Sequence, residues 1–467
     1  MGSAVGTPST VRGGQSREVG DRDRGTNAPA VVGLMIGLAA ALVAVRSPIL
    51  PSLVNLSALL VGFGICWAVT SAPPGTLRSL RVTSIDLIFV AYIIGKFVVE
   101  FINAGELGTT FSLTTLLDVV ISYGALLAAR IACRSEADVW TAARWFVAPA
   151  AVVALIAVLQ IVQFPGLNQL LVSHVNSGGL EARIDKGWDI RATSTIGHWT
   201  ALGGYLCGVS ALVGALMIRN RRYAVSNTLL GSLLLLVVTA QVATLTFATI
   251  ALNFCIVLYV MIRIRVRLAV LVGGGIAALA MWTAVGPLIT SRIDKQLGEA
   301  EYAARSYDWL PESVGFRLNV WITESIPAAM QRPITGWGAS TYQWLGTDAT
   351  SPFLRWISPE SEWMRTAVSF GFVVLALQFT LLAVTFRYLE RAAKLSSACA
   401  MGPFVVFFLG LLVVSFIHSH LTNRGVPLVL WFVVGIAVAM VEATKRSAPA
   451  TAASAETEGN PHAAYTS

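Results

Sequence analysis

Along most of this chain apolar residues come in unbroken runs rather than in stripes. Runs lie at about 30–45, 52–71, 84–102, 112–130, 140–163, 196–218 and 227–243, then at 246–262, 268–289, 364–386, 401–418 and 425–443. A helix needs about 20 residues to cross roughly 30 Å of hydrocarbon, and each run is near that length. The pattern predicts an all-α polytopic membrane protein with about twelve transmembrane helices. Hydropathy is continuous from 227 to 262, and the cut between two spans is set at Gln241–Thr246.

Composition points the same way. Of 467 residues, 55% are hydrophobic and 12% charged, against roughly 25% charged in an ordinary soluble domain. Mean hydropathy is +0.70. A soluble globule cannot hide this much apolar surface, which argues against a soluble enzyme, a secreted disulfide scaffold or a nucleic-acid-binding module. Cys66, Cys133, Cys207, Cys255 and Cys399 form no CxxC pair and read as small apolar fillers. No metal-ligand spacing, Walker A loop or dinucleotide fingerprint is found, so no metal or cofactor is expected.

The net charge of +8 reads as loop charge that sets topology. With the N-terminus inside, inner segments hold Arg78 and Arg81, Arg130 and Arg134, Arg219, Arg221 and Arg222, Arg263, Arg265 and Arg267, Arg387, Arg391 and Lys394, and Lys445 and Arg446. The short outer loops hold only Arg46 and Arg424. The expected organisation is a disordered cytoplasmic tail at 1–28 and helices one to nine over 29–289, with an outer loop at 164–195. A large, partly helical outer loop follows at 290–362, then helices ten to twelve at 363–443 and a disordered cytoplasmic tail at 444–467. Long loops in a compact membrane protein are usually functional, so the site is expected on the outer side.

Candidate chemistry lies in those loops. Arg191 and His198 stand at the mouth of a span. Arg191 could hold a phosphate through its rigid fork, or anchor at the interface beside Trp188 and Trp199. Residues 313–330 read as an amphipathic helix capped by Ser313, with Arg317 and Trp321 on one face. Arg317 could serve a ligand or pair with Glu324. The stretch 294–309, with Tyr302, Tyr307 and Trp309, suits a surface helix. The glycines of Arg332-Pro-Ile-Thr-Gly336-Trp337-Gly338 permit a tight turn or close approach to a ligand. Glu360 and Glu362 open a span, where desolvation and mutual repulsion both oppose ionisation; that suits a general base, while helix N-terminal stabilisation would explain them equally. Lys96 and Glu100 are expected to pair within a span, where Asp118 and Arg144 also fall. Gly273, Gly274 and Gly275 suit helix packing. His418, His420 and Arg424 form a small basic cluster at the outer face.

Three stretches resemble the O-antigen ligase/polymerase family of bacterial envelope glycosyltransferases. Arg191-Ala-Thr-Ser-Thr-Ile-Gly-His198 is similar to that family's Arg-x-x-Gly-x-Phe-Gly-Asn. Arg317-x-x-x-Trp321 with Arg332-Pro-Ile-Thr-Gly-Trp-Gly338 is similar to its Arg-x-x-x-Trp and Pro-hydrophobic-x-Gly-hydrophobic-Gly. Glu360-Ser-Glu-Trp-Met-Arg365, followed by Gly371, is similar to its His-Asn-x-Tyr-Leu-x and Gly. Glu360 stands at the His position, Ser361 at the Asn position, and Ser194 where Gly is frequent; loss of the His favours a polymerase over a ligase.

The resemblance implies a GT-C-like fold in the bacterial cytoplasmic (inner) membrane. It also implies an inverting, metal-independent transfer of a glycan from a polyprenyl-diphosphate donor to an acceptor sugar hydroxyl on a glycan or lipid, in cell-surface polysaccharide synthesis. Arg191 and Arg317 would hold the diphosphate. Glu360, then Glu362, would be the base. His198, Trp321, Trp337, Arg365, His420 and Arg424 would border the substrates. Other envelope polysaccharide assembly proteins would be partners. The rival expectation is a transporter or flippase for a lipid-linked or anionic precursor, which calls for internal repeats and broken spans.

Overall fold

The computed structural model describes residues 27–46, 55–107, 113–188, 190–220, 224–265, 312–343, 351–355 and 358–447, with a few isolated positions beside them. Most of the apolar run at 268–289 (its three glycines included), the stretch 294–309 and nearly all of both expected tails lie outside the described residues.

The described chain is helical throughout. Its helices are α1 (Ala28–Ala41), α2 (Leu56–Thr70), α3 (Thr76–Ser79), α4 (Ser84–Leu107), α5 (Leu113–Ala132), α6 (Glu136–Ile161), α7 (Leu167–His174) and α8 (Gly178–Asp185). Then come α9 (Trp199–Arg219), α10 (Ala224–Ala243), α11 (Phe247–Ile264), α12 (Glu312–Val320), α13 (Ile326–Gln331), α14 (Glu362–Leu395), α15 (Gly402–Val414) and α16 (Val426–Ser447).

Each expected run outside 268–289 coincides with one helix. The cut at 241–246 falls on the break between α10 and α11, where Leu245 turns the chain with φ 51°. Among the described residues five helices are long and apolar enough to cross a membrane: α6, α9, α11, α14 and α16. α1, α2 and α15 are apolar but shorter, at 14, 15 and 13 residues. α16 runs on to Ser447, so the first residues expected in the C-terminal tail are helical. Glu312 opens α12, which puts Ser313 inside the helix rather than at its cap. A π-helical turn (Trp321–Ser325) joins α12 to α13.

Side-chain contacts sort the helix ends into two groups. At one end Arg130 ties three helices together: Nη1 donates to Asp86 of α4 (2.6 Å) and Nε to Glu442 of α16 (3.1 Å). Nearby, Arg219 lies over the Trp140 ring (5.3 Å) and Arg263 donates to the Ala398 carbonyl (3.2 Å). At the other end the longer connections interlock. Asn176 N–H donates to Ala44 O (2.8 Å), Ala192 N–H to Ala243 O (3.0 Å) and Glu362 N–H to Ser415 O (3.0 Å). The arginine-rich connections therefore share one end, and the loops with candidate chemistry share the other.

Two packing features position the site. α9 is the spindle of the bundle, and every residue from Thr200 to Ile218 is buried. Small residues allow this. Added Cβ atoms at Gly203, Gly208 and Gly214 would lie 2.4, 2.4 and 2.3 Å from Thr249, Val429 and Val260, the close approach that drives helix association in lipid.

The second feature is a break in α14 at Gly371 (φ 77°, ψ 175°). Backbone groups released there need partners, because hydrocarbon offers none. The 333–338 loop supplies them. Phe372 N–H donates to Pro333 O (2.7 Å), Trp337 N–H to Val368 O (2.9 Å) and Gly338 N–H to Ser369 O (2.8 Å). So the glycines of this motif serve a backbone-to-backbone dock: a Cβ at Gly336 would lie 2.6 Å from Phe370 N, and one at Gly371 2.2 Å from Ile334 O. α4 pins the same loop through Asn103 to Thr335 O (2.9 Å) and through Glu100, which accepts from Ala339 N–H (2.7 Å).

Gly371→Val should destabilise the protein by more than about 2 kcal/mol, since it adds both a clash and left-handed strain. Arg130→Met should cost about 3 kcal/mol or more by leaving Asp86 and Glu442 without their cation. Thermal unfolding in detergent micelles checks both; a midpoint within a degree of wild type would contradict either expectation.

Candidate functional site

At the loop end the chain after α8 runs through a 3-10 turn (Ser194–Ile196) into α9. Ser194 holds φ 46° and Gly197 φ 78°. The serine bears this left-handed backbone because its neighbours compensate. Gln160 Oε1 accepts from the Thr193 and Ser194 amides (2.9 and 3.0 Å), and Ser194 Oγ donates to Val153 O (2.8 Å).

Arg191, just before the turn, is buried. Its Nε donates to Thr244 O (3.1 Å), and its Nη2 to Leu245 O (2.9 Å) and Thr246 Oγ1 (3.0 Å). Its guanidinium also lies 4.6 Å from the Trp199 ring. The residue thus clamps the α10–α11 turn, where helix C-terminal carbonyls lack partners.

The second loop brings Arg317 and Glu360 together. Arg317 Nε donates to Ile417 O (3.1 Å), and its Nη2 lies 3.6 Å from Glu360 Oε2. Its ion partner is thus Glu360 rather than Glu324, whose carboxylate accepts from Arg355 N–H (2.9 Å). Glu360 has φ 50°, a strained value for a non-glycine. The preceding carbonyl of Pro359 is fixed by Trp321 Nε1 (2.7 Å). Trp337 Nε1 donates to Ala328 O (2.8 Å) and the Arg332 guanidinium lies over its ring (5.5 Å). Both tryptophans therefore brace the loop.

A polar cleft of about 410 Å³ opens between these loops. Asn176, Gly197, His198, Ser358, Arg365, His418, Asn423 and Arg424 line it. His198 Nδ1 lies 2.7 Å from Thr200 Oγ1, which is 2.6 Å from His418 Nε2 and accepts from Asn423 Nδ2 (3.2 Å). His418 and His420 stand edge-on with ring centres 5.3 Å apart.

Burial, joined by neighbouring arginines at His198 and His418, disfavours charge on these imidazoles. The His418 pKa is pushed down to about 4 by burial and by the Arg317, Arg365 and Arg191 charges. His198 is pushed down to about 3 by burial, His418, Arg191 and Arg424, and His420 to about 3 by burial and the other two rings. The group expected as a basic cluster is thus neutral in its histidines, and Arg424 carries its charge. The four arginines from separate elements nevertheless act on one neighbourhood.

Arg365 also walls a second, interior cavity of about 130 Å³. Tyr92 and Lys96 of α4, Asp118 of α5, Glu362 and Gln378 of α14, Thr422 and Trp431 line it. Lys96 and Glu100 do not clasp one another: Lys96 Nζ lies 4.3 Å from the Phe370 ring, while Glu100 serves the Ala339 amide. Glu362 is buried and accepts from Thr422 Oγ1 (3.0 Å) and Gln378 Nε2 (3.5 Å), with the Arg365 and Lys96 cations nearby.

The structure therefore brings together Arg317 with Glu360, and Arg365 with His198 and Arg424. Arg191 flanks this group. Lys96, Asp118, Gln378, Thr200 and Asn423 are added. Ionisable residues inside spans pointed to the first two; the other three carry no sequence signal of their own. Neither the family models nor the curated proteins compared with the sequence match it.

The depressed histidine pKa values carry a sign. Below about pH 6.5 the unfolded chain takes up protons that folded His418 refuses until about pH 4, so stability should fall as pH drops through that window. His418→Gln should flatten the fall, as read by unfolding midpoints between pH 7 and pH 4; an unchanged slope would contradict it.

Proposed function

We propose that this protein is an integral-membrane glycosyltransferase acting on a polyprenyl-diphosphate-linked glycan at the membrane surface, like an O-antigen polymerase or ligase. In this proposal the arginine-rich end of the bundle faces the cytoplasm of a bacterial inner membrane and the loop end faces outward. The observation that supports the reading best is the gathering of Arg317, Arg365, Arg424 and Arg191 around His198 and His418, with Arg365 and Arg424 lining the cleft and Glu360 beside Arg317.

The chemistry asks for this arrangement. The glycosidic carbon leaves its phosphate oxygen and bonds the acceptor hydroxyl oxygen from the opposite side, which inverts the centre. Negative charge grows on the diphosphate as it departs, and preorganised guanidinium groups stabilise that charge. The acceptor proton passes to a carboxylate. Glu360 faces Arg317 and its amide donates to Ser358 of the cleft wall (3.2 Å), and Glu362 lines the interior cavity that shares Arg365 with the cleft. In this scheme the cleft takes the diphosphate and the cavity side takes the acceptor.

Transport of a lipid-linked anion is the second reading. The interior cavity with Lys96, Asp118 and Glu362, beside the break in α14, favours it.

Purified protein in vesicles with a polyprenyl-diphosphate glycan should release the diphosphate lipid, and laddered products would indicate polymerisation. Arg317→Ala and Arg365→Ala should each lower the rate by about 100-fold or more. Glu360→Gln and Glu362→Gln identify the base by which one abolishes turnover with donor binding retained. Movement of intact donor between leaflets with no diphosphate lipid released would replace this proposal with transport.

A further inference from the structure

The hydrogen bonds around Thr200 have a fixed direction. Ser419 N–H lies 2.9 Å from His418 Nδ1. A backbone amide only donates, so that nitrogen holds the lone pair and the proton of the neutral ring sits on Nε2. His418 Nε2–H therefore donates to Thr200 Oγ1 (2.6 Å). The Asn423 side chain is oriented in the same way. Arg424 N–H donates to Asn423 Oδ1 (3.0 Å), so the amide nitrogen faces Thr200 Oγ1 (3.2 Å) and donates to it.

Two donors fill both lone pairs of the threonine oxygen. Its own proton has one acceptor left, His198 Nδ1 at 2.7 Å. His198 must then carry its proton on Nε2. Among the described residues Nε2 has no partner, and His198 lines the cleft with Arg365 and Arg424.

We infer that His198 is a neutral hydrogen-bond donor, held in one tautomer by the relay from Ser419 through His418 and Thr200, and that its Nε2–H binds a phosphate-type oxyanion in the cleft. The inference rests on the proposed use of the cleft for a diphosphate. A neutral donor suits a place where Arg365 and Arg424 already supply charge, because a third cation would be repelled and an acceptor would repel the ligand. Thr200 and His418 act through His198, as positioning residues.

The test is ¹⁵N-histidine NMR of the full chain in nanodiscs, with His198 assigned by its loss in His198→Asn. Wild type should show His198 protonated on Nε2 alone between pH 5 and pH 8. Thr200→Val should give mixed tautomers, and Thr200→Ser should restore one. Inorganic pyrophosphate and nanodiscs containing polyprenyl diphosphate are the two probes; a shift of the Nε2–H signal with either supports the site, and a shift with the lipid alone identifies its source.

His198→Ala should weaken binding about tenfold, the scale of one hydrogen bond to a charged group. His198→Asn, which keeps a donor, should stay within about threefold. An Nδ1–H or charged His198 in wild type, no shift with either probe, or unchanged affinity in His198→Ala would overturn the inference. Because tautomer and anion binding are read without turnover, they stand or fall separately from glycan transfer.

Discussion

A backbone amide or carbonyl inside a membrane has no water to turn to, and the break at Gly371 is where this chain meets that constraint. The 333–338 loop answers it with three backbone hydrogen bonds, and α4 holds the loop in place with Glu100 and Asn103. Much of the candidate site follows from this arrangement. The dock fixes the short helical segment from Glu362 to Phe370, and so aims Glu362 and Arg365. It sets Phe370 under Lys96 and brings Ala339 to the cavity wall. Without the docked loop, α14 would have open carbonyls at its break and no reason to hold a carboxylate and a guanidinium where they line the two cavities.

The charges of the molecule fall into two kinds of work. Arg130 is saturated by two carboxylates from other helices and serves as a fastening. Arg191 directs its fork onto carbonyls that end α10, which makes the mouth of α9 rigid. Arg365 and Arg424 instead line the cleft, where Arg424 also donates to the Asn176 carbonyl. The histidines between them gain nothing from carrying charge, and burial removes it. A positively charged cleft with uncharged hydrogen-bonding groups on its floor is thus built from residues that composition alone would count as one basic cluster.

The helical architecture was legible because apolar runs announce themselves: even the cut at 241–246, inside a continuous apolar stretch, coincides with a chain turn. The loop end drew attention in the sequence because Arg191, His198, Glu360 and Glu362 stand at the mouths of apolar runs and Arg317 lies in an amphipathic stretch of the longest loop. What could not be read was the pairing. Arg317 chooses Glu360 over Glu324 because a fold between distant segments, not helix spacing, decides which carboxylate it meets. The glycines of the 332–338 motif looked equally fit for a ligand or a turn, and only the broken partner helix explains them. Thr200 and Asn423 are ordinary loop-side residues until His198 and His418 are placed around them.

Between its end residues α9 shows no face to its surroundings, and this has a consequence for life in bilayers of differing depth. Hydrophobic mismatch acts on helices that touch lipid, which tilt or bend in response. From Thr200 to Ile218, α9 touches only protein. The histidine and arginine at its mouth thus keep their height relative to the core of the molecule, while the outer helices adjust to a thinner or thicker sheet of lipid.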